Sequence, residues 1–335
     1  MNGVKCINKL KHAAASAAVC IAASVMLAGC GNSLTASFED NYEYSNYNFL
    51  IRSSGAAEVY EPFAADLCVA DGDILSAQLP SMVETTSAAL FDLNQCETIY
   101  AKDIYATVYP ASLTKVMTAL VALENASLDT ELTATANVYM TDVSAQSAGL
   151  AAGDTMTLSQ ALHLLLIHSD NDVAIMIAEN IGGSVSAFIE MMNEEAERLG
   201  ATGTNFVNSN GLTDQDHYTT AYDMYLIFNE AMQFQSFQEI ISMSSYSTVY
   251  YDADGNAVEI SVSSTNSYNT GEEEAPTGVT VIGGKTGTTT AAGHCLILYV
   301  RDAAGNPYIA VVMKALDSDS CYSTMNELLE LIVSV

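Results

Sequence analysis

A serine and a lysine three residues apart, Ser112 and Lys115, sit in the segment "PASLTKVMTALVAL", which is otherwise apolar. Met117, Leu120, Val121 and Leu123 recur at helical spacing, and Pro110 suits a helix's first turn. On such a helix, positions i and i+3 share a face, so the ammonium reaches the hydroxyl. A serine is a weak nucleophile until a base takes its proton. A lysine serves as that base where burial and the positive helix end lower its pKa. Taken alone, Ser-x-x-Lys is common by chance and reads first as an N-cap followed by a surface lysine.

Two further segments bear on the choice. Ser169-Asp170-Asn171 interrupts a pair of hydrophobic helices, and Lys285-Thr286-Gly287, followed by Thr288, closes a predicted strand. Their order matches the set Ser-x-x-Lys, Ser-x-Asn, Lys-Thr-Gly of β-lactamases and penicillin-binding proteins. The stretches "SAALFDLNQCETIYAKDIYATVYPASLTKVMTALVAL", "NSNGLTDQDHYTTAYDM" and "GGKTGTTTAAGHCL" also resemble the serine D-alanyl-D-alanine carboxypeptidases, the low-molecular-weight penicillin-binding proteins. The resemblance covers roughly residues 81 to 335. It implies removal of the terminal D-alanine from peptidoglycan pentapeptide stems, with β-lactams acting as substrate mimics.

Carried over by position, the resemblance implies that Ser112 is acylated and Lys115 is its base. It implies that Ser169 relays a proton to the leaving D-alanine and Asn171 holds the substrate amide. Lys285 and Thr286 would face the terminal carboxylate, with Gly287 beside them, and the N–H groups of Ser112 and Thr288 would form the oxyanion hole. Asp170 departs from the glycine of many relatives and matches the Ser-Asp-Asn of class A β-lactamases. Thr288 stands where many relatives carry a bulkier residue. A serine β-lactamase is therefore one alternative, weakened by the lack of a Glu-x-x-Leu-Asn segment after Ser169. A non-catalytic wall-binding scaffold is another.

The elements that must position these residues are legible in outline. "AALFDL" and "TIYAKD" read as a hairpin; Thr157-x-x-Gln160 is a capping box before "ALHLLLI"; Thr220-x-x-Asp223 caps "AYDMYLIFNEAM". "VSAFIEMMNEEAERLG" is an amphipathic helix closed by Gly200. A hairpin turning at Asp254-Gly255, about three more strands and a short apolar helix complete the chain. Strands at both ends with helices between predict an α/β (α+β) fold, and the resemblance implies that it is of the β-lactamase/transpeptidase type. It would be one antiparallel sheet flanked by helices, with an inserted helical lobe. His163, His168, His217 and His294 are expected to pack, cap or hydrogen-bond, and Cys295 to lie in the core.

Composition narrows the class. The 335 residues are 50% hydrophobic and carry 10 basic against 40 acidic side chains, for a net charge of −30. Such a surface repels phosphates and anionic headgroups, so no nucleic-acid partner is expected and no basic membrane patch. Lys5, Lys9 and Lys11 precede an apolar run ending Leu27-Ala28-Gly29-Cys30. This reads as a secretory signal over 1–29 and resembles a lipoprotein lipobox. Lipidated Cys30 is then expected to anchor an extracytoplasmic protein to the bacterial membrane, in place of the family's β-rich C-terminal domain and amphipathic anchor, since the sequence stops after "LLELIV". Residues 30–80 read as an acidic, polar tether, with local order around Leu67–Leu79, and 81–335 as the peptidase domain. Cleavage before Cys30 leaves seven basic residues and a net charge of −33. Cys68, Cys96, Cys295 and Cys321 permit three disulfide pairings, between which spacing does not choose. No cofactor and no metal site is expected, since no Cys-x-x-Cys or His/Cys cluster occurs.

Overall fold

A computed structural model describes residues 66–76, 86–140 and 145–334. The expected signal and lipobox, Cys30 included, lie outside these residues. The main sheet is antiparallel, ordered β2-β1-β9-β8-β7. It joins β1 (Ser87–Asp92) and β2 (Glu97–Lys102) to β7 (Val279–Thr289), β8 (Gly293–Asp302) and β9 (Pro307–Ala315). The two ends of the chain thus share one sheet, through the β1–β9 pairing. Both faces are covered, which is why "YIAVVM" in β9 is apolar without a break. Ile309, Val311 and Met313 point into the larger core, while Tyr308, Ala310 and Val312 point to the other face. There Met325, Leu328 and Leu329 of α8 (Ser318–Ser334) meet them.

The larger core fills the space between the sheet and the helical lobe. At its centre lies α1 (Thr114–Asn125), in which every residue from Thr114 to Ala122 is buried. A second antiparallel sheet, β3-β4-β5-β6, joins β3 (Glu131–Thr133) and β4 (Thr155–Thr157) to the hairpin of β5 (Ser245–Tyr251) and β6 (Ala257–Ser263). The remaining lobe is α2 (Leu158–His163), a π-helical turn at Leu164–His168, α3 (Asn171–Gly182), α4 (Val185–Arg198), α5 (Ala221–Ala231), α6 (Gln235–Ile241) and the short α7 (Ser267–Thr270).

The predicted caps form: Thr157 and Gln160 make a reciprocal capping box, and Thr220 accepts from the Asp223 N–H. Gly200 takes a φ of +79° after α4, and Gly255 takes +80° in the β5–β6 turn. Residues 66–76 pack onto the folded unit, which therefore extends N-terminal to the expected boundary at residue 81. Cys68 is fully buried, its N–H donates to the Tyr225 hydroxyl, and Ile74 exchanges backbone hydrogen bonds with Ala101. Cys68, Cys96, Cys295 and Cys321 are free thiols.

Candidate active site

Ser112 does not lie on the α-helix proper. It occupies a 3₁₀ turn, Ala111–Leu113, that feeds α1. Ala111 holds a φ of +49°, and its carbonyl lies against Gly211: a Cβ there would sit 1.9 Å from the Ala111 oxygen. Pro110, the turn and β7 are equally close. A Cβ on Gly287 would lie 3.0 Å from the Ser112 nitrogen and 3.1 Å from the Pro110 oxygen. Only a strand with glycine at 287 can approach the serine turn this closely.

Lys115 is completely buried beneath Ser112. Its Nζ lies 3.0 Å from Ser112 Oγ, 2.9 Å from Asn171 Oδ1 and 2.6 Å from the Asn210 carbonyl. The two amide oxygens can only accept. An ammonium would donate to all three oxygens; a neutral amine, with two N–H bonds and one lone pair, would keep both amide oxygens and turn its lone pair to the Ser112 hydroxyl. Burial and then the nearby Lys285 charge hold the Lys115 pKa well below the ordinary lysine range, against the pull of Asp170 and Asp172. Electrostatics favours the free base, and the geometry accommodates it.

Lys285, on β7, is also buried, and its Nζ donates to Ser169 Oγ and to the Thr286 carbonyl, 2.9 Å each. Burial lowers its pKa to about 7, with Asp170 opposing. The charged form has a third N–H left over for a ligand. Ser169 itself is set by the π-helical turn, which ends in a left-handed residue: Ser169 has a φ of +72°. This lifts its hydroxyl to Lys285 just before α3 begins. Thr286 Oγ1 is paired to Thr265 Oγ1 at 2.5 Å.

Asn171 bridges rather than stands free. Its Oδ1 accepts from Lys115, while its N–H and Nδ2 both donate to the Gln146 carbonyl at 2.9 Å. The neighbouring Asp172 fixes the same loop. Its carboxylate accepts from the Ser147 hydroxyl and from the N–H groups of Ala148, Gly149, Leu150 and Val173. Asp170 is buried with its Oδ1 2.6 Å from His168 Nδ1, and its Oδ2 has no partner among the described residues. Burial pushes the Asp170 carboxyl up, and the hydrogen bond to that carboxyl pulls His168 up. His168 thus does more than pack against its helix.

The cleft above Ser112 has two arms. One, of about 300 Å³, runs past Ser169, Thr286 and His294 to the start of α8; the other, of about 590 Å³, runs past Asn171, Asn210, Thr213 and Thr290. Ser112, Gln146 and Thr288 line both arms. Sequence reasoning therefore placed Ser112, Lys115, Ser169, Asn171, Lys285, Thr286, Gly287 and Thr288 in one site. It missed Gln146, for which no motif gives a signal. It missed the Asn210 carbonyl and Gly211 too, although both lie in the quoted "NSNGLTDQDHYTT". Of the remaining histidines, His163 bonds the Ser159 carbonyl and stacks on Tyr246. His217 joins the Thr114 hydroxyl to the Val207 N–H, and Cys295 is buried.

The sequence profile of the D-alanyl-D-alanine carboxypeptidases, Peptidase_S11, matches residues 74–317. The chain belongs to this family. Among its relatives, the D-alanyl-D-alanine carboxypeptidase DacF of Bacillus subtilis is 35% identical over 158 residues, 46% of this chain and 40% of that protein. DacB2 of Mycobacterium tuberculosis is 34% identical over 151 residues, 44% of this chain and 51% of that protein. The chain thus spans about half or less of the length of these curated relatives. The fold resembles the crystal structure of the Streptomyces K15 DD-transpeptidase, with a TM-score of 0.69 and 25% identity over 76% of this chain and 99% of that one. Among the described residues, no group of three or more His, Cys, Asp or Glu side chains is placed to hold a metal ion.

Proposed function

We propose that the protein is a serine DD-carboxypeptidase that removes the terminal D-alanine from peptidoglycan pentapeptide stems through an acyl-enzyme on Ser112. The observation that carries this is the placement of Lys115: it is buried, its Nζ lies 3.0 Å from Ser112 Oγ, and its pKa is held well below the ordinary lysine range, so the neutral amine can take the Ser112 proton. Ser112 Oγ attacks the carbonyl of the D-Ala-D-Ala bond as Lys115 takes its proton. The oxyanion is met by the N–H groups of Ser112 and Thr288. The proton passes through Ser169 to the amine of the departing D-alanine, whose carboxylate lies on Lys285 and Thr286. Water then hydrolyses the ester, regenerating Ser112. The arm past Thr286 takes the leaving residue and the arm past Asn210 takes the stem. Gly287 lets β7 approach, and Asn171 sets Lys115 while its second Nδ2 hydrogen serves the stem amide. Removing one oxyanion donor from such a site costs about 100- to 1000-fold in rate. β-Lactams acylate the same serine.

Release of D-alanine from a pentapeptide stem, lost in Ser112→Ala, is the expected result. A well-folded protein that releases none and instead turns over penicillin would be a β-lactamase. One that does neither would be a wall-binding scaffold. We also propose that the mature protein begins at lipidated Cys30 and stands outside the bacterial membrane, a reading supported by the lysine-led apolar run and its Leu-Ala-Gly-Cys end. Radiolabelled palmitate should enter the unsubstituted chain and not Cys30→Ser; equal labelling of both would sink the lipobox assignment.

A further inference from the structure

Lys314 is an outlier in two independent ways. Its backbone takes a φ of +60°, a left-handed conformation that suits glycine and is rare for a long side chain. Its cause is a bulge in the β8–β9 pairing: Leu296 faces Val312 and His294 faces Ala315, so Met313 and Lys314 stand opposite the single residue Cys295. Bulges next to active sites re-aim a side chain. Lys314 is also exposed, and its ammonium has no ion pair or hydrogen bond among the described residues.

Although exposed, Lys314 borders a cavity of about 210 Å³ together with Thr107, Tyr109, Gln215, Tyr218 and Ala291. Ala291 also lines the larger arm of the active cleft, and the 213–215 turn contributes Thr213 to that arm and Gln215 to this cavity. Across the sheet, Thr288 pairs with His294 and His294 with Ala315. Two strand spacings put Ala315 roughly 10 Å from Thr288, and Lys314 is its neighbour in the bulge, so the span is on the order of three to four residues of extended peptide.

We propose that this cavity is an upstream subsite in which Lys314 takes a side-chain or α-carboxylate of the acyl-donor peptide, with Gln215 and the two tyrosines flanking it. The inference rests on the carboxypeptidase reading for the direction of the stem. It names the substrate class further: a stem carrying a free carboxylate upstream of the scissile bond, preferred over the same stem amidated there.

The test uses the full chain carrying Ser112→Ala, so that peptide is bound but not consumed. The probes are fluorescein-labelled pentapeptides with γ-linked D-glutamate or its α-amide, D-isoglutamine, titrated by polarisation. The carboxylate form should bind about fivefold more tightly, as a single accessible ion pair gives. Lys314→Gln should remove that preference, and Lys314→Glu should reverse it. Lys314→Gly suits the left-handed backbone, so it should fold at least as stably and still lose the preference. Equal binding of the two peptides by the Lys314 protein, or a preference that survives all three substitutions, would overturn the subsite. The two readings fail separately: absent D-alanine release by the unsubstituted chain refutes the carboxypeptidase, while the binding comparison decides the subsite.

Discussion

In the proposed mechanism two buried lysines divide the labour at the residue scale, and their protonation states must differ. As the proposed base, Lys115 would work only as the free amine, so activity should fall as pH drops through its lowered pKa. Lys285 would hold the substrate carboxylate only when charged, and its pKa of about 7 means that this charge is lost as pH rises past that point. The rate constant kcat/KM reports the free enzyme, so its alkaline limb should begin near neutrality for carboxylate-ended peptides. Asp170 raises the pKa of both lysines. Asp170→Asn should therefore move the whole profile to lower pH, measured as kcat/KM against pH on a D-Ala-D-Ala peptide. A profile unmoved by that substitution would remove Asp170 from the electrostatics of the site.

At the scale of elements, the site is a convergence of four backbones: the Ser112 turn, the Ser169 turn, β7, and the loop through Asn210 and Gly211. Gly287 is where β7 meets the serine turn, with nothing but backbone atoms to give way. Gly287→Ala should displace the strand by a few tenths of an ångström. Small misplacements of reacting groups are costly, so acylation by penicillin should slow by about 10- to 100-fold while Tm changes little. An unchanged acylation rate would mean that the close approach has no catalytic weight. These contacts also mark the limit of what residue patterns reveal. The trio of motifs, the caps and the edge-to-edge closure of the sheet follow from residue type and spacing. The 3₁₀ turn at Ser112, the π-helical turn before Ser169 and the positive φ of Ala111 do not. They arise from tertiary contact: Gly211 against Ala111, and Lys285 against Ser169. The Asn210 carbonyl is a backbone atom, which no side-chain motif can announce. Asn171 was legible as a site residue, but its bond to Gln146 depends on a loop from another part of the chain.

For the whole molecule, the sheet is covered on both faces by separate cores, and both ends of the domain enter it through β1 and β9. Its four described cysteines are free thiols, with Cys68, Cys295 and Cys321 buried in apolar surroundings that push their pKa up. Stability therefore owes nothing to a disulfide within residues 66–334. Tm should be the same with and without dithiothreitol, and a reductant-dependent drop of several degrees would contradict that. The high negative charge has the converse role: in a domain with so few cations, Lys285 and Lys314 are set apart by position rather than by number.

The central claim is that Lys115, as a neutral amine, activates Ser112. Its most direct test is the rate at which penicillin acylates Ser112 in the unsubstituted protein and in Lys115→Ala, followed by intact mass. General-base catalysis contributes about 100- to 10,000-fold, so the variant should acylate slower by that range while retaining its fold. Acylation of Lys115→Ala at the normal rate would contradict the account.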